Sequence, residues 1–216
     1  TVPSAGTVVY DYTAVGSAGS VSGFSPSGIG VSLGTDITET GTVTNTSFVR
    51  QTVTYTITPK ISGGSGCVGS PITVVINVDP TPDVTSLSTQ TICSGVALNY
   101  IPTGNVTGTT FNWTSSVTVG TVSGNTASGN GTITDVLSNT TNVVGVVRYV
   151  ITPLANGCSG TPYNLDVTVE PSVVATKIVS PLSQTICSGG NYSIDVNSAT
   201  VPSAGTVVYD YTAVGS

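Results

Sequence analysis

The chain has 216 residues, of which only 6% are charged, and its ten acidic and four basic residues give a net charge of −6. No basic patch is available to neutralise phosphates, so nucleic acid is excluded as a partner, and the lack of histidine removes the commonest general base of enzymes. The positive mean hydropathy argues against disorder, and no apolar run reaches the roughly 18 residues of a membrane helix.

An exact internal repeat organises the chain. Residues 1–17 read TVPSAGTVVYDYTAVGS, and residues 200–216 repeat this sequence letter for letter. Repeats of this kind are typical of arrays in which one structural unit is stacked many times. We interpret the chain as a window of a long tandem array with a period of 199 residues.

Each period contains two related modules. SLSTQTICSG resembles SPLSQTICSG, VTYTITP resembles VRYVITP, and SGCVGSPITVVINVDP resembles NGCSGTPYNLDVTVEP. The matches predict that residues 1–80 are the C-terminal part of one module, residues 84–171 a complete module, and residues 178–216 the N-terminal part of the next. Proline-containing linkers at 79–83 and 170–172 favour stiff joints between modules.

Short segments with alternating apolar and polar residues predict strands in chain order, and turn clusters separate them. Val53, Tyr55 and Ile57 form one such face, and Val74, Ile76 and Val78 form another. The pattern predicts an all-β fold of tandem immunoglobulin-like β-sandwich modules in a linear array. The predicted core residues of the complete module are Phe111, Trp113, Val147, Tyr149, Ile151, Leu165, Val167 and Val169.

Each module carries one cysteine in TICSG and one in a GC(S/V)G segment. We predict a structural disulfide between Cys93 and Cys158 in the complete module, with Cys67 and Cys187 pairing with neighbouring repeats. The alternatives are a metal site and a nucleophile, but neither histidine nor a CxxC spacing supplies further zinc ligands. A structural disulfide indicates an extracytoplasmic compartment.

Few other residues suggest a binding or catalytic site. Trp113, the only tryptophan, is interpreted as a buried core aromatic, and the alternative is a platform for ligand stacking. Asp36 and Glu39 are interpreted as solvated loop charges rather than a catalytic pair. Asp79 and Asp83 flank a linker where calcium could stiffen the joint, but no full set of oxygen ligands accompanies them.

Glycosylation is not indicated by the sequence. Six Asn-X-Ser/Thr triplets occur, at Asn45, Asn105, Asn112, Asn130, Asn139 and Asn191. A chain this rich in asparagine, serine and threonine contains several such triplets by chance, so their number is no evidence for modification.

Several of these motifs together resemble a known family. TICSG near the start of a module, an aromatic pair such as FNW, a YxITP strand and a GC(S/T)G hairpin before VTVxP are similar to PKD-like, immunoglobulin-like repeats. Such repeats occur in very large secreted Bacteroidota proteins, including gliding-motility and other surface adhesins exported by the type IX secretion system. The resemblance covers both modules. It implies β-sandwiches, a cell-surface or extracellular location, and no catalytic residues.

Two interpretations of function are consistent with these features. The first is a structural repeat region of a long extracellular filament or cell-surface adhesin that gives reach for attachment or gliding. Its partners would be neighbouring repeats of the same chain, with lateral self-association as a further option. The second is a carbohydrate- or protein-binding module, for example one appended to a secreted enzyme. We expect no cofactor, no metal and no enzymatic activity, and we expect residues 200–216 to adopt the backbone of residues 1–17 one repeat further along.

Overall fold

The computed structural model describes residues 6–32, 34, 37, 41–63, 66–173, 177–178 and 183–214. Every regular element assigned in these residues is a β-strand, which confirms the predicted all-β class. The chain divides into two compact units. One comprises Thr1–Asp83, Gly104–Thr109 and Leu154–Gly160, and the other comprises Val84–Thr103, Thr110–Pro153 and Thr161–Ser216.

The first module is built on a four-stranded antiparallel sheet. In its described residues the module contains six strands, namely β1 (Thr7–Gly16), β2 (Val21–Ser22), β3 (Ser27–Ser32), β4 (Thr44–Asn45), β5 (Gln51–Ser62) and β6 (Ile72–Val78). The sheet has the order β3-β1-β5-β6, and β2 pairs separately with β4. A small apolar cluster centred on Ala14, Val21, Val53 and Tyr55 packs against it.

The complete module has a larger sheet and a second layer. Its strands are β7 (Thr89–Cys93), β8 (Thr110–Val119), β9 (Val122–Ser123), β10 (Ser128–Asn130), β11 (Ser138–Asn139), β12 (Gly145–Ala155), β13 (Cys158–Ser159) and β14 (Tyr163–Glu170). The order of the large sheet is β10-β8-β12-β14-β7, with β13 paired to the end of β12. The β10–β8, β12–β13 and β12–β14 pairs are antiparallel, whereas β14 pairs parallel with β7. The β9–β11 pair and the bridges Ala97↔Val136 and Tyr100↔Ile133 lie outside that sheet and contribute to the second layer.

Strand β12 shows why this sequence forms a sandwich. Its residues alternate strictly between buried and half-buried along all eleven positions, as expected for a strand with one face on a core. Val147, Tyr149 and Ile151 point into the core, while Arg148 and Val150 lie on the other face. All eight residues predicted for the core of the complete module are buried, so that prediction is confirmed.

The turn after β12 is specified locally. Asn156 and Gly157 connect Ala155 to Cys158, which pair with each other, and both turn residues have positive φ. Two consecutive positive φ values are those of a type I′ hairpin, which favours Asn-Gly because its twist matches that of the flanking strands. The predicted hairpin around GC(S/V)G is therefore present, and it ends in a tight Asn-Gly turn.

The two identical segments do not share one conformation. Thr7–Gly16 forms β1, whereas Thr206–Val214 contains no strand. The described pairings in this part of the chain are β15 (Lys177–Ile178) with β16 (Val196–Asn197) and an isolated bridge between Val143 and Val201. Val9 is 7% exposed and its identical counterpart Val208 is 80% exposed. The expectation that residues 200–216 repeat the backbone of residues 1–17 is wrong for this chain. The reason is that β1 lies between β3 and β5, and the 216 residues contain only one copy of those two partner strands.

Candidate functional site: the uncovered sheet of the first module

The charged side chains mainly stabilise the sheets. Among the side chains that the structure describes, Arg50 forms an ion pair with Asp79, Lys60 with Asp11 and Arg148 with Asp166. Arg148 and Asp166 lie directly opposite each other on β12 and β14, and the guanidinium donates two hydrogen bonds of 2.7 and 2.8 Å. That hydrogen bonding holds the pKa of the Asp166 carboxyl below its usual value. Such exposed pairs add little stability each.

The acidic residues considered for metal binding or catalysis do not form a site. Asp79 accepts both of its strong hydrogen bonds from Arg50, which lowers the pKa of its carboxyl. The backbone N–H of Asp83 donates to Asn105 Oδ1 at 2.8 Å. Within the described residues, no three side chains of the types that bind metals lie close together. Asp36 and Glu39 lie outside the described residues.

Trp113 belongs to the core. The residue is 6% exposed, and its ring meets the ring of Tyr149 edge-on at a centroid distance of 5.6 Å. It lies under Gly129 of β10, where an added Cβ would clash with the indole. Tyr12 and Gly28 repeat this contact in the first module. The interpretation of Trp113 as a buried core aromatic is confirmed, and the geometry leaves little ring surface for ligand stacking.

The structure does not place Cys93 next to Cys158. Cys93 pairs with Glu170, one step beyond the pair Gly145↔Val169 at the start of β12, whereas Cys158 pairs with Ala155 at the end of β12. Because a strand rises about 3.3 Å per residue, the eleven residues of β12 separate the two cysteines by about 30 Å. A disulfide needs Cα atoms within about 7 Å. Both thiols are unbonded, and the predicted bridge between them is corrected.

The predicted Cys93–Cys158 bridge is wrong because strand β7 runs parallel to β14. The motifs predict that TICSG follows the opening strand and that GC(S/V)G lies in a hairpin. The hairpin is present, whereas the first three residues of TICSG form the end of β7 itself. The parallel pairing of β7 with β14, however, carries Cys93 to the end of the sheet opposite the hairpin. Motif order cannot reveal this, because it does not distinguish a parallel from an antiparallel partner.

The first module exposes a face and the outer edge of strand β6. Its counterpart β14 pairs with β12 on one side and β7 on the other, whereas in the described part of the chain β6 pairs only with β5. Residues 1–80 contain no TICSG segment that could supply the second partner. Leu165 of β14 is fully buried, but Val74, which occupies the same place in β6, is 40% exposed. An unpaired edge of this kind is a template for another strand.

An apolar cavity lies against the same strand. It has a volume of about 340 Å³ and is lined entirely by apolar or aromatic side chains, namely Ile37, Val43, Val53, Tyr55, Ile57, Val74 and Ile76. In the complete module the matching strands pack against a cluster that also contains Ile92, Leu98 and Tyr100, all from the segment that begins with β7. The cavity therefore marks the place of the opening segment of a module.

One functional group that the sequence reasoning missed is an asparagine before the long strand of each module, which is buried in the complete module. Asn139 is 0% exposed, and its Nδ2 donates to the carbonyl oxygens of Val143 and Val169 at 2.8 and 3.0 Å. Its Oδ1 accepts two hydrogen bonds from Thr141, and its complete burial excludes glycosylation at this triplet in the folded chain. Asn45 makes the matching bonds in the first module. The available signal was Asn-Thr-Ser/Thr-X-Val, ten residues before the tyrosine of YxITP in both modules.

A second missed group is a buried carboxylate beneath Tyr149. The Tyr149 hydroxyl donates to Asp135 Oδ2 at 2.6 Å, and Thr126 donates to the same carboxylate from its backbone N–H and its hydroxyl. Burial, followed by the hydrogen bond with Asp135, raises the pKa of Tyr149. The signal in the sequence was Ile-Thr-Asp at 133–135, matched by Ile-Thr-Glu at 37–39. The network holds the core strand to a loop and contains no free acid or base for catalysis.

The chain matches the model of a known protein family. The model of the family described as "PKD-like domain" matches residues 25–82 and 90–173, which together make up more than half of the chain. No curated protein matches the chain in a sequence search. Domains of this family are usually extracellular and non-catalytic. In the described part of the chain, no helix is long and apolar enough to cross a membrane.

Proposed function

The chain belongs to the PKD-like domain family, and we propose that it is a structural repeat region of a long extracellular filament or cell-surface adhesin. The observation that carries this proposal is the exact identity of residues 1–17 and 200–216, combined with the uncovered β6 of the first module. A tandem array explains both features. Each period would bring the opening segment of one copy next to the remaining strands of the following copy.

The third segment, residues 178–216, carries apolar side chains that could fill the cavity beside β6. Ser183–Cys187 corresponds to β7, and Ile186, Tyr192 and Ile194 correspond to the buried residues Ile92, Leu98 and Tyr100. All three are exposed in the third segment, whereas the cavity against β6 lacks the side chains that these positions provide. Residues 183–216 followed by residues 18–80 would therefore contain every element of a complete module once.

The array proposal assigns the chain a mechanical role. Stiff proline-containing joints and modules of fixed size provide length, so attachment or gliding would depend on reach rather than on chemistry in this region. Export through a type IX system from a Bacteroidota cell is part of this proposal because the motifs resemble such repeats. A test of location is surface labelling: antibodies against residues 84–171 should label intact, unpermeabilised cells of the source organism. Labelling only after permeabilisation would contradict the proposal.

The shape test compares two chain lengths. Small-angle scattering is measured for the 216-residue protein and for the same protein extended by one period of 199 residues. A compact chain would increase its radius of gyration by only about 1.3-fold, as expected from the scaling of globular domains. A linear array would increase it nearly twofold. The compact result would overturn the filament proposal.

The binding-module alternative has less support. The depression beside Trp113, which is lined by Asn112, Ser128, Asn130 and Thr152, exposes almost none of the indole ring. Carbohydrate sites use exposed aromatic faces for stacking. Saturable binding of one glycan by the 216-residue protein on a glycan array, lost on Asn112→Ala, would favour this alternative over the structural one.

A further inference from the structure

The two cysteines of a module mark its two ends. The chain enters the complete module beside the hairpin that carries Cys158, where the Tyr163 hydroxyl donates to the carbonyl oxygen of Ser86 at 2.8 Å. It then runs along β7 in the direction of β14, so that Cys93 pairs with Glu170, the last residue of β14. The cysteine of TICSG therefore lies at the exit of the module, and the cysteine of GC(S/V)G lies at its entrance.

The C-terminal end of the first module shows which residues lie beside the entrance of the complete module. Asp79 of the first module corresponds to Glu170 of the complete module, which is the residue that pairs with Cys93. Arg50 donates two hydrogen bonds to the carboxylate of Asp79. These bonds raise the pKa of Arg50, and the nearby Cys158 adds a smaller electrostatic contribution in the same direction. Leu154–Gly160, the hairpin that contains Cys158, belongs to the same compact unit as Thr1–Asp83. The hairpin of Cys158 thus packs with the first module, and the charge of this cysteine acts on Arg50 there.

A cysteine at the exit of the first module would lie next to Cys158. In the repeat, the opening strand of a module of this type ends in Cys187, as β7 ends in Cys93. If that strand pairs with β6 as β7 pairs with β14, its cysteine falls beside Asp79 and therefore near Arg50 and Cys158. The same argument places Cys93 near the entrance hairpin of the following module, which carries the next copy of Cys67.

We propose that disulfides join successive modules, each linking the TICSG cysteine of one module to the GC(S/V)G cysteine of the next. This inference rests on the proposed tandem array. Cys93 bonds to Cys67 of the following repeat, and Cys187 bonds to Cys158 of the following repeat. No such pair occurs within the 216 residues, which accounts for unbonded thiols at Cys93, Cys158 and Cys187. The bonds make every joint covalent at a second point, so tension passes between modules without relying on sheet contacts alone.

The chemistry is ordinary thiol–disulfide exchange. One S–S bond forms as two thiols lose two protons and two electrons. The disulfide of an extracytoplasmic oxidoreductase accepts these protons and electrons and becomes a dithiol. Cys93 and Cys187 are exposed, so such a disulfide can reach them before the next module folds against the joint. The exchange passes through a mixed disulfide with the oxidoreductase, which the second cysteine of the joint then displaces.

Disulfide mapping of the chain extended by one period distinguishes the two pairings. The protein is produced with export to an oxidising compartment, digested without reduction, and analysed by mass spectrometry. We expect peptides that link the Cys93 sequence to the Cys67 sequence and the Cys187 sequence to the Cys158 sequence. Peptides that link Cys93 to Cys158, or thiols at all positions, would overturn the inference. The four flanking sequences differ, so each linked pair has its own mass.

A single substitution provides the control. Cys93→Ser in the first copy should leave the following copy of Cys67 open to alkylation while the Cys187 to Cys158 bond persists. Cys158 of the first copy has no preceding Cys187, so under the inference it is open to alkylation with or without this substitution. Under pairing within a module it would be closed in the unsubstituted chain and opened only by Cys93→Ser, and the inference would fail. Scattering on the same samples separates the two proposals. A linear extended chain without these bonds would overturn only the disulfides, whereas a compact chain would overturn the array itself.

Discussion

Strands β6 and β14 are matching parts of two related modules, yet one is exposed and the other is buried. Both carry an apolar residue at every second position, and both pair antiparallel with the long strand before them. The difference lies in the neighbour on the other side, because β14 has β7 there and, within the described residues, β6 has β5 alone. Alternation therefore specifies which face of a strand is apolar, but a separate segment decides whether that face is covered.

The largest expected effect comes from supplying that segment. A chain of residues 183–216 followed by residues 18–80 should fold cooperatively and be more stable than residues 1–80 by at least about 5 kcal/mol. Burying a large apolar side chain contributes about 1.5–3 kcal/mol, and Ile186, Tyr192 and Ile194 would all become buried. Urea unfolding followed by circular dichroism measures the difference. The matched control replaces those three residues with serine, and equal stability of the joined chain and residues 1–80 would contradict the comparison.

A pair of matched substitutions tests the comparison within the 216-residue chain. Leu165→Ala should cost about 2–5 kcal/mol because it leaves a cavity in a closed core. Val74→Ala, at the same place in β6, should cost less than about 1 kcal/mol because Val74 is already 40% exposed and does not belong to a closed core. Trp113 fluorescence follows the complete module specifically, and circular dichroism follows both. A cost for Val74→Ala as large as that for Leu165→Ala would mean that β6 is covered in solution.

The sequence predicted the parts of the fold that depend on local pattern. The period of two along Val147, Tyr149 and Ile151 was sufficient to identify a core strand, and all eight proposed core residues are buried. The pattern failed where pairing between distant segments decides the outcome. Residues 7–16 and 206–214 show this most clearly, because sequence identity cannot tell which copy has partner strands. The direction of β7 was hidden for the same reason, and with it the place of Cys93.

Asn139 offers a sharper test of the hydrogen-bonded turn that precedes the long strand in both modules. Asn139→Ala should destabilise the complete module by about 2–3 kcal/mol, because the carbonyl oxygens of Val143 and Val169 lose their donor in a buried position. Asn139→Asp should cost at least as much, since a carboxylate cannot donate to either carbonyl. Asn45→Ala should cost less, because its surroundings are partly open to water. Equal unfolding free energies for wild type and Asn139→Asp, measured by Trp113 fluorescence in urea, would contradict this role.

The smallest expected effect is a dependence of stability on alkaline pH in the complete module. Burial, assisted by the hydrogen bond with Asp135, raises the pKa of Tyr149 above its ordinary value of 10. The folded state therefore holds this proton more tightly than the unfolded state, so its contribution is fully present below about pH 10 and is lost as the pH rises further. The slope from one such group is about 1.4 kcal/mol per pH unit. Burial also raises the pKa of Tyr100, so Tyr149→Phe should reduce the slope rather than abolish it. Tyr211→Phe, which changes an exposed ring, should leave the slope unchanged, and an equal slope in wild type and Tyr149→Phe would show that the Tyr149–Asp135 contact does not hold this proton.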